Sequence, residues 1–368
     1  MTTERAVILL AGTQGRTPSG GVDAALGSLL AAAEAAGLEC QRITTHRGGG
    51  PWGKLGPWLT ARASLAERIG ALRRRGRIPV LYAHAGAWPS LVRKARLLAA
   101  ARAAGAHTML HLHGVELDSY LDRPLGRRGM RWALASADDV VVLSSWWRER
   151  LAGALPGIAP SVLPNALPAA AEAEARRAPP PGAATRGGLS VLTMTRLVRG
   201  KGVGTAIEAV AGGSGETRLV VAGDGPRRAS LQRLAERAGA ADRVRFVGWV
   251  DGEAKRALLR RADVFCLPGR RDALPMSVLE ALAHGLPVVA DRGRAMGELV
   301  PDGRAGVLVD GRDSAAVRGA LRTLEDVVER GRLGRGARAH ALETYGRESI
   351  GSQLRTMLAR RLAAVDTP

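Results

Sequence analysis

Two acids and two cations are the residues of this 368-residue chain whose types and spacing first invite a chemical reading. Asp272 and Glu280 lie eight positions apart in ADVFCLPGRRDALPMSVLEALAHGLPVVA, and Arg196 and Lys201 lie five apart in TRLVRGKGVGTAIEAV. Cations at the start of a helix, added to its free N–H groups, make an anion site suited to a diphosphate. Lys201 stands out further because the chain otherwise writes arginine; its only other lysines are Lys54, Lys94 and Lys255. An acid next to a helix start, such as Asp272, is accounted for as a cap or dipole partner worth ~0.3–1 kcal/mol. Glu280 is not, because Val278, Leu279, Ala281, Leu282 and Ala283 surround it and a buried carboxylate needs a partner. Vicinal ribose hydroxyls would supply one. The strand-like run HTMLHLHG ends in His113, with His111 two residues deeper on the same strand face and read as core. No third ligand at sensible spacing accompanies the pair, so no metal site is expected.

These residues need elements to hold them, and the chain supplies two series of short apolar runs alternating with Ala/Leu/Arg-rich helical stretches. That rhythm predicts parallel sheets with crossover helices. Strands are expected at AVILLA, RIPVLYA, HTMLHLH, DDVVVLS and PSVLPN, then at LSVLTM, TRLVVAG, RVRFVGW, ADVFCLP and LPVVA. The length suits two α/β domains, each able to bury a core. They are placed at 1–167 and 188–345, with residues 168–187, which contain three successive prolines, as the linker. A helix at 346–368 is expected to cross back to the first domain. In doubly wound sheets ligands sit beyond the carboxyl ends of the strands, and the candidate residues do follow strands. In AGDGP, Gly223 permits close backbone approach and Asp224 is expected to cap the helix that Pro226 opens. This is not a GxGxxG dinucleotide fingerprint.

Composition narrows the class. The chain is 46% hydrophobic and 24% charged, has no apolar run of membrane-spanning length, and opens with a strand-like stretch rather than a signal peptide. A cytoplasmic protein is expected, and Cys40 and Cys266 read as reduced, packed thiols. The net charge is +20, and residues 51–105 carry eleven Lys or Arg against the single acid Glu67. Such a segment forms either a solvated surface or a face for phosphate-bearing partners, and its tryptophans, Trp52, Trp58 and Trp88, either dock on anionic lipid or belong to the core. Arg127, Arg128, Arg131, Trp132, Trp146 and Trp147 are candidates to extend it. The charge alone would suit a nucleic-acid binder, but no helix-turn-helix, RNA-binding or zinc-finger signature appears, and no nucleic-acid partner is expected.

The Arg-to-Lys pair of TRLVRGKG, the AGDGP turn, the VRFVGWV segment and the acid-x7-acid element running on into HGLPVV together resemble the family 4 glycosyltransferases over nearly the whole chain. The resemblance implies the GT-B fold, two Rossmann-like doubly wound domains facing a central cleft. It implies retaining transfer of a hexose from a nucleotide-diphosphate sugar, GDP- or UDP-linked, with no cofactor and no metal. It places Arg196 and Lys201 on the diphosphate, Glu280 on the ribose, and Asp272 and His113 at the transferred sugar. Gly223 and the backbone of Ala273, Leu274, Pro275 and Met276 would complete the donor site, with Gly20 and Gly21 as a closure loop near the acceptor. The family usually has Glu where this chain has Asp272, one methylene shorter, followed by Ala273 in place of a common Gly. The implied acceptor is a glycan or lipid-linked hydroxyl in cell-surface polysaccharide synthesis, reached by peripheral contact with an anionic inner membrane. A transferase acting on a small natural product, a non-catalytic nucleotide-sugar binder and a nucleic-acid binder are the competing readings.

Overall fold

In the computed structural model, residues 3–14, 21–47, 51–177, 188–213 and 215–363 are described. They divide into two compact units, Met1–Pro168 with Tyr345–Pro368, and Ala169–Thr344.

The first unit is built on a six-stranded sheet of β1 (Ala6–Gln14), β2 (Glu39–Arg47), β3 (Ile78–Ala85), β4 (His107–Leu112), β5 (Asp139–Val142) and β6 (Ser161–Val162). Their order is β2-β1-β3-β4-β5-β6, every pair parallel. Ile8 and Leu10 of β1, Val80 and Tyr82 of β3, and Met109 and Val141 form one core with Leu26 and Leu29 of the helix Gly21–Ala35. Val7, Leu9 and Ala11, alternating with them, are as deeply buried from the other side. Burial on both faces is why β1 reads as an unbroken apolar run. The helix Arg347–Ala363 belongs to this unit, with Ile350, Leu354, Leu358 and Leu362 in the same core. It lies so close to the helix Gly21–Ala35 that a Cβ on Gly351 would come within 2.2 Å of the Ala32 carbonyl. Arg361 adds an ion pair to the buried Asp139 at 2.8 Å.

The second unit holds β7 (Ser190–Met194), β8 (Arg218–Ala222), β9 (Val244–Gly248), β10 (Val264–Leu267), β11 (Val288–Asp291) and β12 (Gly306–Val309). These are also all parallel, in the order β12-β11-β10-β7-β8-β9. The chain thus runs outward from β7 to β9, returns to β10 and runs outward the other way. The reversal falls between β7 and β10, the place where open α/β sheets part their loops to admit ligands. Residues Ala169–Arg177, inside the span expected to be linker, form a helix of this unit.

Two strands escaped the sequence reading, β2 and β12. Both are sheet edges; β2 is largely polar and so lacks the continuous apolar signal of a central strand, whereas β12, GVLV, is apolar but only four residues long.

Candidate active site

The loops after β7 and β10 are forced together by glycine. Gly202 takes a left-handed φ of 75°, and a Cβ there would fall 2.5 Å from the Gly269 nitrogen. A Cβ on Gly269 would in turn meet the Lys201 backbone at 2.5 Å. Only hydrogen at both positions lets the two backbones cross at this spacing. The crossing delivers Lys201 to Asp272: its Nζ donates to Asp272 Oδ1 at 2.5 Å and to the Arg271 carbonyl at 2.9 Å. Both side chains are mostly covered, at 11% and 12% exposure. Residues 71 positions apart in sequence thus form one charge pair at the sheet's reversal point.

Asp272 precedes the helix Met276–Ala283, whose entry Ala273, Leu274, Pro275 and Met276 runs half-buried to buried. Pro275 occupies the cap position without a side-chain capping bond. The first turn of any helix presents N–H groups with no partner within the helix, together with the positive end of its dipole. Glu280 sits one turn further on, buried as expected. Its partner, however, is a protein group: Lys255 Nζ, from the helix Gly252–Arg261, donates to Glu280 Oε1 at 2.7 Å. The expectation that a buried carboxylate here must await a ligand is corrected accordingly. Lys255 was missed by sequence reasoning, although the scarcity of lysine that singled out Lys201 applied to it equally.

Gly223 has φ 141°, and a Cβ there would strike the Thr195 carbonyl at 1.9 Å, so the AGDGP turn packs directly on the loop that carries Arg196. Arg196 itself is exposed. Asp224 does not cap a helix: the helix begins at Arg228, with Arg227 at the cap, and Asp224 Oδ1 accepts from the Gly225 N–H at 2.7 Å. A proline two residues before the helix start left the turn one step longer than the capping pattern assumes.

In the first unit His113 joins a polar ladder on one sheet face. His84 of β3 is the register partner of His111 on β4, and His113 follows two residues on. His84 Nδ1 and His113 Nε2 share a hydrogen bond of 2.7 Å, and the Tyr82 hydroxyl meets His111 Nδ1 at 3.1 Å. Burial pushes His84 and His111 well below their ordinary values and His113 down to about 3, so all three rings are neutral. A third imidazole does therefore accompany the pair, contrary to the sequence expectation. Spacing along one strand cannot reveal a neighbour on the next.

Lys94 departs from the basic face to which sequence assigned it. It is buried, donates to the Ala11 carbonyl at 3.1 Å and to Thr45 Oγ1 at 2.5 Å, and burial pulls its ammonium down to about 7. Trp58 and Trp147 are buried as well, whereas Trp132 remains 51% exposed. Gly21 begins the helix Gly21–Ala35 with open space where a Cβ would stand. Gly20 and the Trp52 side chain lie outside the described residues.

Comparison with known proteins follows the same division. Residues 20–170 match the family profile "Glycosyltransferase Family 4", and residues 182–340 match "Glycosyl transferases group 1". Over 284 residues the chain is 33% identical to a GDP-mannose-dependent alpha-(1-6)-phosphatidylinositol monomannoside mannosyltransferase of Mycolicibacterium smegmatis, covering 72% of this chain and 73% of that one. The chain belongs to the family 4 glycosyltransferases. A second relative is the lipopolysaccharide core biosynthesis glycosyltransferase LpsE of Rhizobium meliloti. It is 35% identical over 46% of this chain, and the match spans half the length of LpsE. Among solved structures, sucrose-phosphate synthase from Thermosynechococcus elongatus superposes with a TM-score of 0.74 over 98% of this chain and 100% of its own, at 22% identity. That likeness is one of fold, and the fold of this glycosyltransferase is GT-B. Among the described residues no helix is long and apolar enough to cross a membrane.

Proposed function

We propose that this glycosyltransferase moves a hexose, with retention at the anomeric carbon, from a nucleotide-diphosphate sugar to a hydroxyl of a glycan or lipid-linked acceptor in cell-surface polysaccharide synthesis. The observation that carries the reading is the Lys201–Asp272 pair at the reversal point between β7 and β10, beside a helix start and with the buried Glu280 behind it. A diphosphate entering there would meet Arg196, Lys201 and the N–H groups of Ala273, Leu274 and Met276, while Asp272 and Glu280 offer acceptors to hydroxyls of sugar and ribose. GDP-mannose is the favoured donor, because the mannosyltransferase relative that covers most of the chain is named for it; UDP-sugars are the competing class.

In this reading the bond from the anomeric carbon to the diphosphate oxygen breaks with its electron pair passing to the diphosphate. The acceptor oxygen bonds to the same face of that carbon, and its proton is taken up by the departing diphosphate. Preorganised cations and amides stabilise the charge that develops, so no metal cofactor is invoked. His113 is assigned to the transferred sugar. The helix Pro124–Leu134 supports a membrane role at the cytoplasmic leaflet: Leu125 is 83% and Trp132 51% exposed, with Arg123, Arg128 and Arg131 also exposed around them.

The test is thermal-shift titration with GDP, UDP, ADP and dTDP, since a ligand at 100 times its Kd stabilises the folded state by about 2.7 kcal/mol. One diphosphate should raise the melting temperature of the wild type but not of Arg196→Ala or Glu280→Ala, and its sugar should be transferred with retained configuration by NMR. Indifference to all four nucleotides would sink the donor-site reading.

A further inference from the structure

We infer that His84, His111 and His113 form a binding site for one divalent transition-metal ion of the zinc type, each ring giving one nitrogen. Among the described residues these three are the group of His, Cys, Asp or Glu side chains whose ligand atoms converge, all within 4.8 Å of one another. The placement follows from the fold. Register pairs His84 with His111 across β3 and β4, and the two-residue period of a strand puts His113 on the same face. Ring centroids are 4.3 Å apart for His111 and His113, 4.7 Å for His84 and His113, and 5.2 Å for His84 and His111.

Two buried atoms in this cluster lack a use. Nε2 of His84 and Nε2 of His111 make no hydrogen bond among the described residues. The Leu163 carbonyl favours a proton on His111, a preference that a bound ion has to overcome. Leaving such a group unsatisfied costs about 1–3 kcal/mol. A metal ion takes one lone pair from each neutral imidazole, so on binding it replaces the His84–His113 hydrogen bond and leaves Nδ1 of His111 donating to the Tyr82 hydroxyl. Tyr82 supplies the outer contact typical of a ligating histidine, holding His111 by Nδ1 so that Nε2 is the free end. Tetrahedral zinc with nitrogens at about 2.0–2.1 Å needs them roughly 3.3 Å apart, so ring rotations of about 1 Å would close the site. An all-imidazole set selects zinc, cobalt, nickel or copper over magnesium or calcium, which prefer oxygen. Lys94 opposes a cation at His84, but that opposition fades as its ammonium, already drawn down to about 7, loses its proton. The titrations therefore belong near pH 8.

The site needs nothing from the transferase reading. One consequence does rest on it: an ion on His113 withdraws that ring from the sugar and lowers transfer. The experiment is equilibrium dialysis of chelator-treated full-length protein against Zn²⁺ with elemental analysis, repeated with Co²⁺, whose visible absorption reports tetrahedral ligation. One ion per chain is expected, undisturbed by excess Mg²⁺. His84→Ala and His111→Ala should weaken binding more than about 100-fold and Tyr82→Phe by about 10–100-fold. Because truncation in a core can unfold the unit, His113→Ala, at the edge of the cluster, is measured alongside them, and circular dichroism verifies each fold. No stoichiometric ion in the wild type, or one that every folded variant retains, overturns the site. Stoichiometric binding without loss of transfer upholds the site and removes His113 from the reaction; absence of binding in an active enzyme removes only the site.

Discussion

Lys255→Met removes the partner of a carboxylate that the helix Met276–Ala283 has already buried. The Glu280 side chain is 6% exposed and that of Lys255 31%, with 2.7 Å between Nζ and Oε1. Breaking a fully buried ion pair costs about 3–5 kcal/mol, and an exposed one about 0–1 kcal/mol. This pair joins a buried carboxylate to a half-buried ammonium, so a loss of about 1–3 kcal/mol is expected. For a unit of this size that corresponds to a fall of about 3–9 °C in melting temperature. The assay is a double-mutant cycle by urea unfolding. Glu280→Gln removes the charge that needs compensation, so the double variant should recover part of the loss, with a coupling of at least about 1 kcal/mol. Lys255→Arg should stay near wild type. A Lys255→Met protein as stable as wild type, with coupling inside the ~0.3–0.5 kcal/mol scatter of independent sites, would refute the claim that Lys255 stabilises Glu280.

Stability of the first unit should depend on pH through Lys94. Its folded value is depressed from 10.5 to about 7, so between those limits the unfolded chain binds the extra proton. Stability then rises with pH across that window, at up to about 1.4 kcal/mol per unit, and is flat below it. Urea melts between pH 7 and 10 should show the slope, and Lys94→Met should abolish it; equal slopes in both would count against a buried ammonium. Gly202→Ala should destabilise by about 1–3 kcal/mol, since it combines a left-handed backbone with a Cβ pressed on Gly269. It should also displace Lys201, weakening nucleotide-diphosphate affinity beyond what a distant mutation of equal stability cost would, by isothermal titration.

Much of the donor side was legible because it is written locally. Lys201 in TRLVRGKG, Asp272 before a proline-started helix and Glu280 among apolar neighbours are each marked by their own surroundings, and lysine is rare enough here for one residue to signal. Central strands showed themselves as apolar runs because they are covered on both faces. The edge strand β2 did not, because its residues are largely polar. What a residue meets across the sheet left no local trace. Lys255 has a charged, arginine-rich helix as its sequence context, and only the tertiary fold makes it the partner of Glu280.

The sequence by itself determined the class of fold, the family and the residue types available for a diphosphate and for sugar hydroxyls, since periodicity and glycine placement act through neighbours in the chain. Tertiary structure alone decided which of those residues meet. Gly202 and Gly269 bring Lys201 to Asp272 across 71 positions, and strand register gathers His84, His111 and His113 onto one face. Burial then turns a lysine and three histidines from the charges their letters suggest toward neutral groups. The reason is physical: a charge is set by its dielectric surroundings and partners, and those come from segments far away in the chain.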